Sequence, residues 1–204
     1  MGNNRALFLD RDGVINTYIP YIHRREDFHF QDGIFELCRA AQNLGYLLVV
    51  VTNQSGIARG YYSETDFLGL TEWMNQRFAE QQIRIDRVYY CPFHPEEGRG
   101  EYKRESPDRK PNPGMLLRAR QDLALDLGSS ILIGDKLLDM EAATAAGVGT
   151  RILLPSGTES IEAHHNHFCV SHSLDEIRCR FFSPANPQPE TERRLAADHS
   201  YETG

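Results

Sequence analysis

Five short apolar runs constrain what this chain can fold into: "ALFL" at 6–9, "YLLVVV" at 46–51, "RVYYC" at 87–91, "SILIG" at 130–134 and "TRILL" at 150–154. Each is rich in β-branched or aromatic residues, and none alternates apolar with polar. Such runs are buried on both faces, as the strands of a parallel sheet are. Helix-like stretches lie between them. "IFELCRAAQNLG" (34–45) puts Ile34, Leu37, Cys38 and Ala41 on one face and stops at Gly45. "SETDFLGLTEWMNQRFAEQ" (63–81) opens with Ser63 and carries Asp66 three residues on, close to a capping box. "PGMLLRARQDLAL" (113–125) places Pro113 in its first turn, and "DMEAATAAGVG" (139–149) is a short Ala-rich helix stopped by Gly147. Strands alternating with helices require right-handed βαβ crossovers, so the expected fold is α/β, a doubly wound parallel sheet.

A chain of 204 residues suits one domain, expected over 1–182. From Ser183 the prolines and charges increase and little remains to bury, so 183–204 reads as a flexible C-terminal tail. The net charge of -7 argues against a nucleic-acid surface, which needs a basic stripe. No apolar run is long enough to span a bilayer, and the N-terminus shows no secretory signal pattern. Four scattered cysteines (Cys38, Cys91, Cys169, Cys179) suit reduced thiols rather than a disulfide framework. The expectation is a cytoplasmic protein, monomeric or weakly dimeric, without membrane or nucleic-acid partners.

Ligands of open α/β sheets bind at the carboxyl ends of the strands. "DRDG" (Asp10, Arg11, Asp12, Gly13) follows the first run, and "TNQSG" (Thr52 to Gly56) follows the second. "RKP" (Arg109, Lys110) precedes the third helix, and "GDKLLD" (Asp135, Lys136, Asp139) follows the fourth strand. One rim thus collects carboxylates, a hydroxyl and a lysine. Taken singly, each has a plainer reading. Asp-Gly is a common turn, Lys110 a solvated charge and Asp135 a helix N-cap. An EF-hand is excluded, because Gly13 is the fourth residue of the stretch rather than the sixth and Tyr21 stands where the closing Glu belongs.

Taken together, the four segments resemble the motifs of the haloacid dehalogenase (HAD) superfamily of phosphohydrolases. Asp10/Asp12, Thr52, Lys110 and Asp135/Asp139 fit its four motifs in order, over roughly 1–180. "FLDRDGVIN", "VVVTNQSGIARG", "YYCP", "RKPNPGM" and "GDKLLDMEAA" further resemble the D-glycero-D-manno-heptose 1,7-bisphosphate 7-phosphatases and the related histidinol-phosphate phosphatases. "LTEWMNQRF" favours the heptose branch.

The resemblance implies a phosphomonoester hydrolase acting on a small sugar phosphate, the heptose precursor of lipopolysaccharide. Asp10 would be the nucleophile and Asp12 the general acid and base. Mg²⁺ would be held by Asp10, the Asp12 backbone carbonyl and Asp135. Thr52 and the Asn53 and Gln54 amides would hold the phosphoryl oxygens. Lys110 would bind those oxygens together with Asp10. Substrate contacts would also come from Arg11, Tyr21, Ser55, Arg109 and Lys136, with Arg109 on the phosphate that is not cleaved. Asp139 is either a support behind these ligands or a plain surface acid. Neither interval between the motifs is long enough for a large cap domain. The loops 17–27 and 91–109 should therefore wall an open site.

Relatives of this kind close the second loop with zinc, on Cys-x-His and Cys-x-Cys. Here Cys91 remains, Phe93 stands at the His position, and Ser106 and Asp108 stand at the two cysteines. No structural zinc is expected. The runner-up is a rebuilt set of Cys91, His94, Asp108 and Glu105. The cluster His164, His165 and His167 reads as a solvated loop. Alternatives to the enzyme reading are a phospho-receiver domain, disfavoured because the Asp-x-Asp pair lies on the first strand, and a binding-only relative, disfavoured by the intact catalytic set.

Overall fold

The structure is a computed structural model that describes residues 4–155 and 168–183. Its strands are β1 (Arg5–Leu9), β2 (Tyr46–Asn53), β3 (Ile85–Cys91), β4 (Ile131–Gly134), β5 (Thr150–Leu153) and β6 (Cys169–Val170). They pair in the order β3-β2-β1-β4-β5-β6, and every pairing is parallel. The chain builds outward from β1 to β3, then returns to place β4 on the other side of β1. The direction of winding therefore reverses between β1 and β4. That reversal opens a crevice at their carboxyl ends, the usual ligand position in such sheets.

Helices α1 (Ile34–Asn43), α2 (Ser55–Arg59), α3 (Glu64–Glu80), α4 (Gly114–Asp122), α5 (Leu137–Ala146) and α6 (Leu174–Phe181) connect or follow the strands. Side chains of β1 alternate between two cores, as strand geometry requires. Leu7 and Leu9 face Ile34, Leu37, Phe78 and Ile177. Ala6 and Phe8 face Met115, Leu116, Met140 and Ala143. The expected buried face of α1 is the one observed.

The capping box of α3 forms. Asp66 N–H donates to Ser63 Oγ at 3.1 Å, and Ser63 N–H donates to Asp66 Oδ2 at 2.8 Å. Two helix starts differ from expectation. Pro113 caps α4 rather than entering its first turn. α5 begins at Leu137, two residues early, because Asp139 Oδ2 turns back to accept the Lys136 N–H at 3.0 Å. Three elements, α2, β6 and α6, were not anticipated. The first two are too short to carry a pattern. The third had a legible start, since Ser173 Oγ caps Glu176 N–H at 3.1 Å in the S-x-x-E form.

Among the described residues no helix is long and apolar enough to cross a membrane. No large cap domain interrupts the motifs. The tail expected beyond Ser183 and the cluster His164, His165 and His167 lie outside the described residues.

Candidate active site

Asp10 leaves the end of β1 with its N–H bonded to Ile133 O at 3.0 Å, so the neighbouring strand fixes its backbone. Lys110 reaches the same point from the segment before α4. Its Nζ lies 2.9 Å from Asp10 Oδ1, 2.5 Å from Asp139 Oδ1 and 2.9 Å from Val51 O, and the side chain is buried. Burial alone would favour a neutral amine. The Asp10 and Asp139 carboxylates overcome that and hold Lys110 charged, above its ordinary value. Asn53 sets the approach of Lys110, because its amide accepts the Lys110 N–H at 3.0 Å and donates to the Lys110 carbonyl at 3.0 Å. Asp139 is therefore an ion-pair partner of Lys110 and not a surface acid.

Asp135 follows β4, directly across from Asp10. Oxygens of Asp10, Asp135 and Asp139 lie within 4.8 Å of one another. Two glycines permit this crowding. A Cβ on Gly13, whose φ is +97°, would sit 2.5 Å from Asp135 Oδ2, and one on Gly134 would sit 2.3 Å from Asp139 Cβ. Asp10 and Asp139 share the buried Lys110 ammonium, while Lys136 Nζ stands 3.7 Å from Asp135 Oδ2 at the more exposed edge. Residual negative charge on hard oxygen donors suits a divalent cation such as Mg²⁺.

Asp12, two residues beyond Asp10, is held from several directions. Arg11 Nε and Nη2 donate to Asp12 Oδ1 at 3.1 and 2.9 Å, Nη2 also reaches Oδ2 at 2.9 Å, and Asn16 Nδ2 reaches Oδ1 at 3.2 Å. Gln54 Nε2 donates to Asp12 Oδ2 at 3.1 Å and to Thr52 Oγ1 at 2.9 Å. The Tyr62 hydroxyl donates to Gln54 Oε1 at 2.5 Å. Burial pushes the Tyr62 phenol up to about 12, so it stays protonated.

These residues open on one pocket of about 380 Å³. Asp10, Asp12, Asn53, Gln54, Ser55 and Lys110 line it, with Tyr21, Arg109 and Lys136 among its walls. Tyr18, Ile19 and Pro20 come from the loop expected to wall the site. Three expected positions behave differently. Arg11 does not line the pocket; it is buried, with Nε and Nη2 donating to Asp12 and Nη2 also to the Ile22 carbonyl at 3.1 Å. Thr52 lies beneath the Gln54 amide, buried, and Asp135 lies beneath Gly13. The Gln54 backbone N–H, expected on phosphoryl oxygen, instead donates to Cys91 O at 2.8 Å. The β2–β3 ladder extends past the apolar run and uses that donor. Tyr62, Asn16, Gly56 and Leu138 were missed. Asn16, Gly56 and Leu138 lie inside the quoted motifs FLDRDGVIN, TNQSG and GDKLLDMEAA, whereas no local pattern marked Tyr62.

A profile described as HAD-hydrolase-like matches residues 108–177. The D-glycero-alpha-D-manno-heptose-1,7-bisphosphate 7-phosphatase of Burkholderia mallei is 60% identical over 151 residues, covering 74% of this chain and 80% of that protein. The corresponding beta-named phosphatase of Vibrio cholerae is 55% identical, covering 78% and 87%. The chain belongs to this family of HAD-like phosphatases. Among solved structures, the D,D-heptose 1,7-bisphosphate phosphatase of B. bronchiseptica, complexed with magnesium and phosphate, superposes with a TM-score of 0.75 at 25% identity, covering 85% of this chain and 95% of that one. The protein is a phosphoric monoester hydrolase.

The loop 91–109 of this phosphatase is closed by phenols and rings. Tyr102 and Tyr90 hydroxyls donate to the two oxygens of Glu64, at 2.7 and 2.5 Å. Phe93 packs against Tyr102 with centroids 6.0 Å apart, and the Arg104 guanidinium covers Phe93 at 3.8 Å. The rebuilt set is not brought together. Cys91 is buried in the second core, His94 Nδ1 accepts the Glu96 and Glu97 N–H groups, and Asp108 Oδ2 pairs with Arg118 at 2.9 Å. Among the described residues, the Asp10, Asp135 and Asp139 trio is the one such cluster of three. Purified protein should contain far less than one zinc per chain, and chelation should not lower the melting temperature through this loop. Stoichiometric zinc that is lost on Cys91→Ser would overturn this.

Lys110→Met should abolish turnover and cost about 3–5 kcal/mol in urea titration, because two buried carboxylates lose their counter-charge. A raised folded-state pKa makes this contribution complete below the unfolded lysine value of about 10.4 and lost as pH climbs past it. The stability gap between wild type and variant should thus be flat through neutral pH and narrow only in alkali.

Proposed function

We propose that this enzyme removes the 7-phosphate of D-glycero-D-manno-heptose 1,7-bisphosphate through an aspartyl-phosphate on Asp10, with Mg²⁺ as cofactor, in cytoplasmic synthesis of the lipopolysaccharide heptose. One observation carries the reading. Asp10, Asp12 and Lys110 lie together in a single pocket that also holds Arg109 and Lys136, so reacting groups and two further cations face one cavity. The relatives' names supply the sugar.

The Asp10 carboxylate attacks phosphorus and the bond to the sugar oxygen breaks. Asp12 gives its proton to that oxygen, so a neutral alcohol leaves. Asp12, now a carboxylate, takes a proton from water, which attacks the aspartyl-phosphate and returns Asp10 with inorganic phosphate. Lys110 keeps Asp10 oriented and lowers the repulsion between carboxylate and phosphate dianion. Asp10, the Asp12 carbonyl and Asp135 would hold Mg²⁺, which supplies further charge neutralisation when bound. Arg109 grips the distal phosphate, for which its planar fork is suited.

The test is kcat/KM on both heptose bisphosphate anomers, on histidinol phosphate and on an aryl phosphate. A heptose bisphosphate should be preferred; a higher value for histidinol phosphate would displace the assignment. Asp12→Ala should slow sugar-phosphate hydrolysis about 10²–10⁴-fold while affecting an aryl phosphate much less, because a good leaving group needs little protonation. Arg109→Ala should harm the bisphosphate more than the heptose monophosphate, since positioning is lost and not chemistry. Equal losses on both would refute that role.

A further inference from the structure

Asp12 is held in part through a chain of groups that ends at Tyr62, on the wall of the same pocket. The Tyr62 hydroxyl bonds Gln54 Oε1, and Gln54 Nε2 bonds both Asp12 Oδ2 and Thr52 Oγ1. In this orientation every polar atom of the amide has a partner. Turned over, Oε1 would meet the Asp12 carboxylate. Tyr62 is itself wedged in place. Its ring stacks on His23 with centroids 5.2 Å apart and planes 12° from parallel, and it packs with Ile57 and Phe67. A Cβ on Gly56 would lie 2.2 Å from Tyr62 Cε1, so the glycine leaves the space that the ring occupies.

We propose that Tyr62 and Gln54 are positioning residues for Asp12: the Tyr62 hydroxyl fixes the Gln54 amide, and the amide N–H fixes Asp12 Oδ2 for proton transfer to the leaving oxygen. The proposal rests on the assignment of Asp12 as general acid and base. When Oδ2 is protonated, Arg11 Nη2 can fall back on Oδ1, which it already reaches at 2.9 Å, so that Oδ2 keeps a lone pair for the Gln54 N–H while its own proton points at the sugar oxygen. If the amide were turned over, Oε1 would accept that proton in a hydrogen bond, and the acid would be engaged by the protein instead of the substrate. The Tyr62 hydroxyl opposes the turn by holding Oε1. Arg11 anchors both Asp12 oxygens but carries no acceptor, so it does not decide where a proton on Oδ2 points.

The experiment compares the full chain with Tyr62→Phe and Gln54→Met, in Mg²⁺, on the heptose bisphosphate and on 4-nitrophenyl phosphate. On the bisphosphate, kcat should fall about 10–100-fold with little change in KM, and the loss on the aryl phosphate should be several-fold smaller. Added to Asp12→Ala, Tyr62→Phe should produce no further loss on the bisphosphate, because both act on one proton transfer. Equal losses on both substrates, or effects that add in the double variant, would overturn the proposal and leave Tyr62 a packing residue. Asp12→Ala separates the two levels. If it shows no dependence on the leaving group, the role of Asp12 falls and the positioning role with it. If it shows the dependence while Tyr62→Phe and Gln54→Met do not, the positioning role alone falls.

Discussion

One buried ammonium organises this site. Lys110 Nζ joins the carbonyl of Val51 in β2 to the carboxylates of Asp10 after β1 and Asp139 on α5. Its neighbours come from chain segments far apart, and each contributes a charge or dipole that would be costly to bury alone. The balance remains negative, because Asp135 adds a third carboxylate to the cluster. Hard oxygen donors with residual negative charge suit a divalent cation, whose charge would offset the repulsion that a phosphate dianion meets there.

Much of this was legible in the sequence, for a physical reason. Strands buried on both faces must be apolar throughout, so the five longer strands declared themselves, and the residues after them had to lie on one rim. Asp10, Asp12, Lys110, Arg109 and Lys136 are in the pocket on that argument and on the family resemblance. Side-chain direction was less legible. Arg11 turns inward to the carbonyl of Ile22, which no local pattern announces. The Gln54 N–H is taken by Cys91 O, a consequence of how far a ladder runs past its apolar run. Tyr62 became visible only in three dimensions, since its meaning depends on Gln54 and on the vacancy above Gly56.

The pocket wall shows how an open site can still be shaped. Tyr21 sits at a left-handed φ of 59°, a costly conformation for a large residue. Tyr61 meets its ring edge-on at 4.7 Å, and the Arg59 guanidinium lies 5.6 Å from it. The Lys136 ammonium stands 4.3 Å from the Tyr18 ring. Aromatic rings in contact with cations thus shape the wall of the site on the side of Tyr18 and Tyr21.

Closure of the loop 91–109 by Tyr90, Tyr102 and Glu64 has a chemical consequence. Phenol-to-carboxylate bonds and packed rings contain no sulfur ligand, and the one thiol at the loop's base is buried, which pushes it up and suppresses its thiolate. A loop held by thiolates opens when oxidants consume them or when the metal is withdrawn. The bonds described for the loop that carries Arg109 draw on neither a thiolate nor a metal ligand.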